Sequence, residues 1–277
     1  MKIKILKRGD RMAIFQTNYF SESLQRFVDF TIINPSDTPK AFTEGNVNYN
    51  REPKLLFLLH GYSGHYYDWL IDGHARDLAS KYNLVTVMAS AENSFYLNQK
   101  GTGAKYTDFF GFELPSFVQS TFHLSPSPEN TFTAGYSMGG FGALYLCLSH
   151  SDIFGGCLAL SSALIIDQVA AMKPEQPLNP QMADYDYYVR VFGDPKKLQN
   201  SEKDPRYWIS QMIGHGKPLP KIYMACGTED FLLKENRSMD EFLKSKKVPH
   251  IYHEEPGSHN WEFWNKTIAP GIEYLLR

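Results

Sequence analysis

Short apolar runs alternate with longer stretches of mixed polarity along most of the chain. Apolar or alternating runs bounded by polar, glycine or proline residues indicate strands, and the mixed stretches between them indicate helices. The predicted strands are 27–33, 55–59, 84–88, 132–136, 155–160, 222–226 and 250–253. The predicted helices are 108–122, 139–148, 232–244 and 261–276.

This alternation of strands and helices predicts an α/β fold, with a mainly parallel sheet covered by helices on both faces. Residues 91–107 are polar and are predicted to form a loop. Residues 162–208 are rich in proline, aspartate, glutamine and tyrosine, and we expect an irregular lid at the carboxyl edge of the sheet. Pro270 is predicted to break or kink the last helix, because a proline inside a helix costs about 3 kcal/mol.

The composition is that of an ordinary folded protein and excludes several classes. Hydrophobic residues make up 43% and charged residues 21%, which excludes a disordered, collagen-like or coiled-coil chain. The formal net charge is -2, so no overall field favours nucleic acid or an anionic membrane. No apolar run approaches the roughly 20 residues of a membrane span. The length of 277 residues fits a single α/β domain with an inserted lid.

The cysteines and the amino-terminal segment indicate the cellular compartment of the protein. Cys147, Cys157 and Cys226 are odd in number and widely spaced, which indicates reduced thiols instead of disulfides. Residues 1–11 are basic, but the apolar stretch that follows them ends at Phe15 and is too short for an export signal. The sequence therefore predicts a cytoplasmic protein with an amino-terminal extension at 1–11. Met12 is an alternative position for the natural start of the chain.

The strongest chemical signal is the sequence Gly135-Tyr-Ser137-Met-Gly139, which stands between a predicted strand and a predicted helix. A nucleophilic serine on such a sharp turn needs residues without side chains two positions before and two after it. A glycine-rich turn with a solvated serine is the alternative. That alternative does not account for the acid and the histidine that follow, so Ser137 is predicted to be a nucleophile.

A serine hydroxyl becomes a strong nucleophile only when a base takes its proton and an acid orients that base. In this type of fold the chain order is serine, acid, histidine. Glu229 and Asp230 follow the strand predicted at 222–226, and His259 lies in a tight loop before the last helix. His259 is the predicted base and Asp230 the predicted acid, with Glu229 as its rival. An N-cap of the following helix is an equally good interpretation of Asp230.

The charge that develops on the substrate carbonyl oxygen needs two backbone N–H donors. Met138 supplies one predicted donor, at the start of a helix whose dipole also favours negative charge. Tyr62, in the His-Gly turn after the strand predicted at 55–59, supplies the other. His250 and His253 face opposite sides of a predicted strand, so no metal site is predicted. Five residues near these loops are predicted to bind substrate: His60, Gly61, Trp69, Trp208 and Trp261.

Four segments carry a resemblance to a known family, namely 58–61, 135–140, 226–232 and 257–261. The chain resembles the putative-esterase, or esterase D-like, branch of the α/β hydrolases, and most of all the small intracellular tributyrin esterases. That branch also holds S-formylglutathione hydrolases, feruloyl and acetyl-xylan esterases and mycolyltransferases. The loops 91–107 and 162–208 depart from the family pattern, which leaves the identity of the substrate least determined.

The resemblance implies a catalytic triad of Ser137, Asp230 and His259, with Tyr62 and Met138 as the N–H donors. It favours Asp230 over Glu229, because the acid of the family precedes a Phe-Leu pair. It also implies that no metal or organic cofactor is used and that short acyl esters are the substrates.

The sequence thus predicts a serine carboxylesterase that hydrolyses short-chain acyl esters through an acyl-enzyme. Three alternatives stay open: a hydrolase of S-formylglutathione or another thioester, an esterase for acetylated sugars or feruloyl groups, and a noncatalytic binding protein on a hydrolase scaffold. The predicted partner is a small-molecule ester, with no nucleic acid and no membrane. A homo-oligomer is compatible with the sequence.

Overall fold

A computed structural model of the protein describes residues 13–175 and 183–277. Its centre is an eight-stranded sheet in the order β1-β2-β4-β3-β5-β6-β7-β8. β1 and β2 are antiparallel, as are β2 and β4, and all other neighbours are parallel. The predicted mainly parallel sheet is therefore confirmed. The strands are Ala13–Ser21 (β1), Arg26–Asn34 (β2), Lys54–Leu59 (β3), Leu84–Ala89 (β4), Thr131–Tyr136 (β5), Gly156–Leu160 (β6), Lys221–Gly227 (β7) and Ile251–Glu255 (β8).

Helices connect the strands. They are Lys40–Thr43 (α1), Asp68–Ile71 (α2), Ala75–Tyr82 (α3), Tyr106–Asp108 (α4), Leu114–Phe122 (α5), Met138–Ser149 (α6), Ile166–Ala171 (α7), Tyr185–Phe192 (α8), Pro205–Gly214 (α9), Leu233–Ser245 (α10) and Trp261–Leu276 (α11). A π-helical stretch, Phe109–Glu113, joins α4 to α5. The four helices predicted from the sequence are all present.

Both faces of the sheet are apolar and covered. In β3, Leu55, Phe57 and Leu59 contribute to one core, and Leu56 and Leu58 contribute to the other. Residues of α6, α9 and α10 complete the first core, and residues of α3 and α11 complete the second. Because both faces of β3 are buried, its sequence is a continuous apolar run without polar alternation.

The sequence pattern misses β1, which forms one edge of the sheet beside β2. Most of its side chains are exposed or half-buried, so its hydrophobic periodicity is weak. Backbone hydrogen bonding to β2 along its whole length defines the strand instead. The predicted extension at 1–11 and the alternative start at Met12 lie outside the described residues.

The stretch 162–208 is less irregular than predicted. It contains α7, α8 and the first residues of α9, and it buries Val169, Tyr188 and Val191. Helices this short gain their stability from tertiary packing instead of intrinsic propensity, which explains why sequence periodicity does not reveal them. Residues 176–182 of this stretch lie outside the described residues.

Of the break or kink predicted at Pro270, the break is wrong, because α11 continues through the proline. The kink stays a prediction. A Cβ atom added at the neighbouring Gly271 would meet the side chains of Leu158 and Tyr223. α11 thus lies close against β6 and β7, and this packing holds the helix together across the proline.

Cys147, Cys157 and Cys226 are buried free thiols, as predicted. Within the described part of the chain, no helix combines the length and the apolar character needed to cross a bilayer.

Candidate active site

Ser137 occupies the turn between β5 and α6 with a strained backbone, φ 55° and ψ -121°. A positive φ is uncommon for a residue with a side chain, and it persists only where surrounding contacts enforce it. Here the Ser137 N–H donates to the Leu160 carbonyl at 2.9 Å, and the Ser137 carbonyl accepts from the Ala163 N–H at 3.0 Å. Both bonds tie the turn to the end of β6 and the residues after it, and Ser137 lines a cavity there.

Gly135 and Gly139 have the role that their spacing predicted. A Cβ atom at Gly135 would overlap the Gly139 carbonyl, and one at Gly139 would overlap the carbonyl oxygens of Leu59 and His60. The absence of both side chains therefore lets the serine turn close tightly and touch the loop that follows β3.

His259 and Asp230 form the pair that the sequence predicted. Nδ1 of His259 lies 2.9 Å from Oδ2 of Asp230, and Oδ1 of Asp230 accepts a 2.8 Å hydrogen bond from the Leu232 N–H. Burial by itself would raise the pKa of Asp230, but hydrogen bonds from His259, Leu232 and Ser161 outweigh it and hold this pKa below its ordinary value. An ionised Asp230 assigns the imidazole proton to Nδ1 and leaves Nε2 of His259 as an acceptor.

Glu229 has a different role. Its Oε2 accepts a hydrogen bond of 2.5 Å from the Gly257 N–H, and its Oε1 accepts one of 2.7 Å from the Thr228 hydroxyl. Glu229 therefore holds the loop that carries His259, while Asp230 holds the ring. The N-cap position of α10 is held by Leu232 and no side chain caps it, so the alternative interpretation of Asp230 as the N-cap is wrong.

The N–H groups of Tyr62 and Met138 belong to residues that line the same cavity as Ser137. Met138 is the first residue of α6, where no intrahelical carbonyl is available to its N–H. Among the hydrogen bonds between described residues, none uses either of these two amides. Both donors are thus free for a bound group.

The cavity has a volume of about 500 Å³, and it also contains His259 and Phe231 in its wall. The rings of His259 and Phe231 lie 4.5 Å apart. The sequence analysis did not select most of the wall. Phe231 stands beside the acid in the sequence, which was a usable signal, but the others have no local motif. These other wall residues are Ala163, Ile165, Gln168, Ala183, Tyr188, Leu232 and Glu235. Phe95, an aromatic residue of the loop predicted at 91–107, lines the cavity as well.

None of the five residues predicted to bind substrate lines this cavity. His60 is buried, with Nδ1 on the Gly61 carbonyl and Nε2 accepting from the Ala91 N–H, both at 2.8 Å. Burial lowers the pKa of His60, which favours the neutral ring that these two bonds require. His60 therefore joins the loop after β3 to the loop after β4.

The other four also support the site from behind or lie away from it. A Cβ at Gly61 would overlap the ring of Tyr136, so Gly61 permits a close contact between loop and strand. Trp69 donates its indole N–H to the Leu59 carbonyl and packs edge-on against Trp261. Trp208 donates its indole N–H to the Glu202 carbonyl. Trp69 and Trp261 pack against the core, and Trp208 lies on α9. Closeness in sequence to the catalytic motifs therefore did not place Trp69 or Trp261 in contact with the cavity.

Comparison with known proteins agrees with this geometry. The sequence profile described as putative esterase matches residues 21–275. The chain belongs to the putative esterase family. An acetyl esterase of Caldicellulosiruptor saccharolyticus is 40% identical over 266 residues, which cover 96% of this chain and 99% of the relative. The prediction of a carboxylic ester hydrolase of the serine type is confirmed.

Two solved structures extend the comparison. Fluorophosphonate-binding serine hydrolase F of Staphylococcus aureus has a TM-score of 0.81 and 25% identity, with 96% of this chain and 99% of that chain covered. An S-formylglutathione hydrolase of the same organism has a TM-score of 0.79 and 26% identity, with 97% and 100% covered. The α/β-hydrolase fold implied by the resemblance is confirmed. The closer likeness to tributyrin esterases stays a prediction.

Proposed function

We propose that this esterase hydrolyses short-chain acyl esters, and acetyl esters above all, through an acyl-enzyme on Ser137. The observation that carries the proposal is the 2.9 Å contact between His259 and the buried Asp230, with His259 in the wall of the cavity that Ser137 lines on its strained turn. The 40% identity to an acetyl esterase supports the small acyl group.

In the first step, the Ser137 oxygen attacks the ester carbonyl carbon while Nε2 of His259 takes its proton. The imidazolium formed in this way is stabilised by Asp230. The lowered pKa of Asp230 keeps its carboxylate charged throughout.

The tetrahedral intermediate places a negative charge on the former carbonyl oxygen. The amides of Tyr62 and Met138 donate to that oxygen, and the dipole of α6 adds to the stabilisation. When the intermediate collapses, the bond to the alcohol breaks and the alcohol leaves with the proton from His259. Water then repeats the sequence on the acyl-enzyme and releases the acid.

We also propose that the whole chain is one hydrolase domain in which residues 162–208 cap the site. Ile165 and Tyr188 of this segment line the cavity. The Tyr187 hydroxyl donates to the Asn93 carbonyl at 2.6 Å, and the rings of Phe192 and Phe95 lie 4.9 Å apart. These contacts attach the cap to the loop after β4.

The compartment that we propose is the cytoplasm. Its support is the chemistry of the three buried free thiols, which suit a reducing environment. Cell fractionation with an antibody to the natural protein tests this assignment, and recovery outside the cytoplasm would contradict it.

A Ser137→Ala variant tests the function. We expect the turnover of p-nitrophenyl acetate to fall by roughly 10⁴-fold to 10⁶-fold, with loss of labelling by a fluorophosphonate and an unchanged circular dichroism spectrum. Ser210→Ala, at an exposed serine of α9, is the matched control and keeps full activity. Labelling and turnover that survive in Ser137→Ala would overturn the proposal.

A substrate panel distinguishes the alternatives. p-Nitrophenyl esters of increasing acyl length are compared with S-formylglutathione and feruloyl esters, and we expect the highest kcat/KM for the acetyl ester. A preference for S-formylglutathione would make the protein a thioester hydrolase acting through the same residues.

A further inference from the structure

The loop after β3 carries the proposed oxyanion donor Tyr62 in a tight turn. The Gly64 N–H donates to the Gly61 carbonyl at 3.0 Å and closes this turn. Ser63, the third residue of the turn, has a positive φ of 60°, whereas the φ of Tyr62 is not positive. These signs are those of a type II turn, whose third position favours glycine because a side chain is strained there. Ser63 therefore keeps this conformation only where a further contact holds it.

Asn93, in the loop after β4, supplies that contact. Its side-chain oxygen Oδ1 accepts a 2.7 Å hydrogen bond from the Ser63 N–H. A type I turn, the common form for residues with side chains, differs from type II in the orientation of the peptide group between the second and third residues. That peptide group joins Tyr62 to Ser63 and carries the N–H that Asn93 binds. The hydrogen bond therefore opposes the rotation that would relieve the strain at Ser63.

The form of the turn sets the direction of the Tyr62 N–H. This N–H and the Gly61 carbonyl belong to the same peptide group, and the carbonyl accepts the hydrogen bond that closes the turn. An oxyanion donor is effective only when it points at the position that the charged oxygen will occupy, and a small misplacement is costly. A rearranged turn would therefore stabilise the transition state less well, even with the other walls of the cavity in place.

The cap also holds Asn93. The Tyr187 hydroxyl of α8 donates to the Asn93 backbone carbonyl at 2.6 Å, and the Tyr187 ring lies edge-on to the ring of Tyr62, with 5.6 Å between centroids. Burial raises the pKa of the Tyr187 hydroxyl, so it stays protonated and donates this bond at neutral and alkaline pH. Tyr188, the next residue of α8, lines the catalytic cavity. The cap thus contacts both the cavity and the residue that fixes the turn.

We propose that Asn93 is a positioning residue for catalysis: it fixes the turn that aims the Tyr62 N–H at the oxyanion, and Tyr187 of the cap fixes Asn93. This inference rests on the proposed esterase function. Asn93 does not line the catalytic cavity and acts through Tyr62. Its loss should therefore affect the stabilisation of the transition state and leave the affinity for the substrate nearly unchanged.

Asn93→Ala removes the side-chain acceptor and leaves the backbone carbonyl for Tyr187. We expect kcat for p-nitrophenyl acetate to fall about tenfold, with KM within about twofold of the wild-type value. A trifluoromethyl ketone forms an adduct with Ser137 that places an oxyanion on the same amides, so its inhibition constant should rise by about the same factor. Asn130→Ala is the matched control, because Asn130 is a half-buried asparagine at the opposite edge of the sheet, just before β5.

Ser63→Gly provides a second test, which a general loss of stability would not reproduce. The Ser63 side chain is exposed, and glycine adopts a positive φ without strain, so the turn no longer needs Asn93 to hold it. We expect Asn93→Ala to lower kcat by less than about threefold when it is measured against Ser63→Gly alone. A tenfold loss that persists in this background would overturn the proposal.

Tyr187→Phe tests the contribution of the cap, because it keeps the ring beside Tyr62 and removes the bond to Asn93. We expect kcat to fall about threefold. The loss in the double variant with Asn93→Ala should be smaller than the product of the single losses, since both changes act on the same turn. Tyr185→Phe, on the same helix, is the control. Strictly multiplicative losses would overturn the part of the proposal that concerns the cap.

The failure of this inference can be told apart from that of the proposed function. If hydrolysis of p-nitrophenyl acetate depends on Ser137 while Asn93→Ala keeps the wild-type kcat and inhibition constant, only the positioning role is wrong. If no hydrolysis depends on Ser137, the proposed function is wrong and this inference falls with it.

Discussion

The Tyr136 hydroxyl donates a 2.7 Å hydrogen bond to Oδ2 of Asp68. Tyr136 immediately precedes Ser137, and Asp68 begins α2 after the loop that carries Tyr62. The same carboxylate oxygen accepts from the His65 N–H at 2.9 Å. This bond therefore ties the strand that leads to the proposed nucleophile to the loop that bears one of the proposed oxyanion donors.

Tyr136→Phe should loosen that loop while keeping the ring that rests against Gly61. We expect kcat for p-nitrophenyl acetate to fall about fivefold with little change in KM, because small misplacement of a catalytic group affects the transition state most. Loss of one hydrogen bond should lower Tm by about 3 °C. A kcat equal to that of the wild type would show that the loop is positioned by other contacts.

Adjacent acidic residues allow a matched test of the triad. Asp230→Asn should reduce kcat by about 10⁴-fold, because an amide no longer imposes the Nδ1–H tautomer of His259. Glu229→Gln keeps an acceptor for the Gly257 N–H and should reduce kcat by less than about tenfold. Steady-state kinetics of both variants give the comparison, and a larger loss in Glu229→Gln would reverse the assignment of the acid.

Two glycines differ in what a methyl group would meet. Gly139→Ala would press against two backbone carbonyls and should lower the free energy of unfolding by about 3 kcal/mol or prevent folding. Gly214→Ala, at the end of α9 with open space around it, should be neutral or stabilise by about 0.5 kcal/mol. Urea unfolding measures both, and a stable Gly139→Ala protein would contradict the close approach at the serine turn.

A second histidine–aspartate pair should affect stability and not catalysis. His250 Nε2 lies 2.9 Å from Oδ1 of the buried Asp240, and Lys244 Nζ lies 2.6 Å from Oδ2. Burial alone would raise the pKa of Asp240, but the hydrogen bonds from Lys244 and His250 outweigh it and lower this pKa. A carboxyl whose folded pKa is lowered stabilises the protein above its unfolded pKa of about 3.9, and this contribution is lost as the pH falls through the lower folded value.

Asp240→Asn should therefore reduce the free energy of unfolding by about 1 kcal/mol at pH 7, after allowance for the exposure of Lys244. The difference from the wild type should shrink as the pH falls below about 4, where Asp240 is protonated first in the unfolded chain and then, at its lowered pKa, in the folded protein. Urea titrations at several pH values measure it, with Glu241→Gln as the surface control. A difference that stays constant down to pH 2 would argue against ionisation as its source.

The sequence by itself determined seven of the eight strands, the glycine-flanked turn at Ser137 and the position of the proposed base. These features depend on local patterns: an apolar run buried on both faces at 55–59, glycines two residues either side of Ser137, and a histidine in a tight loop before the last helix. The residue pattern left Glu229 as an alternative to Asp230 for the acid, because both residues follow the same strand. Only the direction in which each carboxylate points distinguishes them.

Tertiary structure decided which residues complete the cavity wall around Ser137. Tyr188, Gln168 and Glu235 meet in one cavity although no motif links them, because three distant helices and loops converge at the carboxyl edge of the sheet. The same convergence turned Trp69 and Trp261 towards the core, although both stand near the catalytic motifs in the sequence. Local spacing indicates the proposed reacting groups, whereas the cavity walls around them arise from long-range packing that a one-dimensional pattern does not contain.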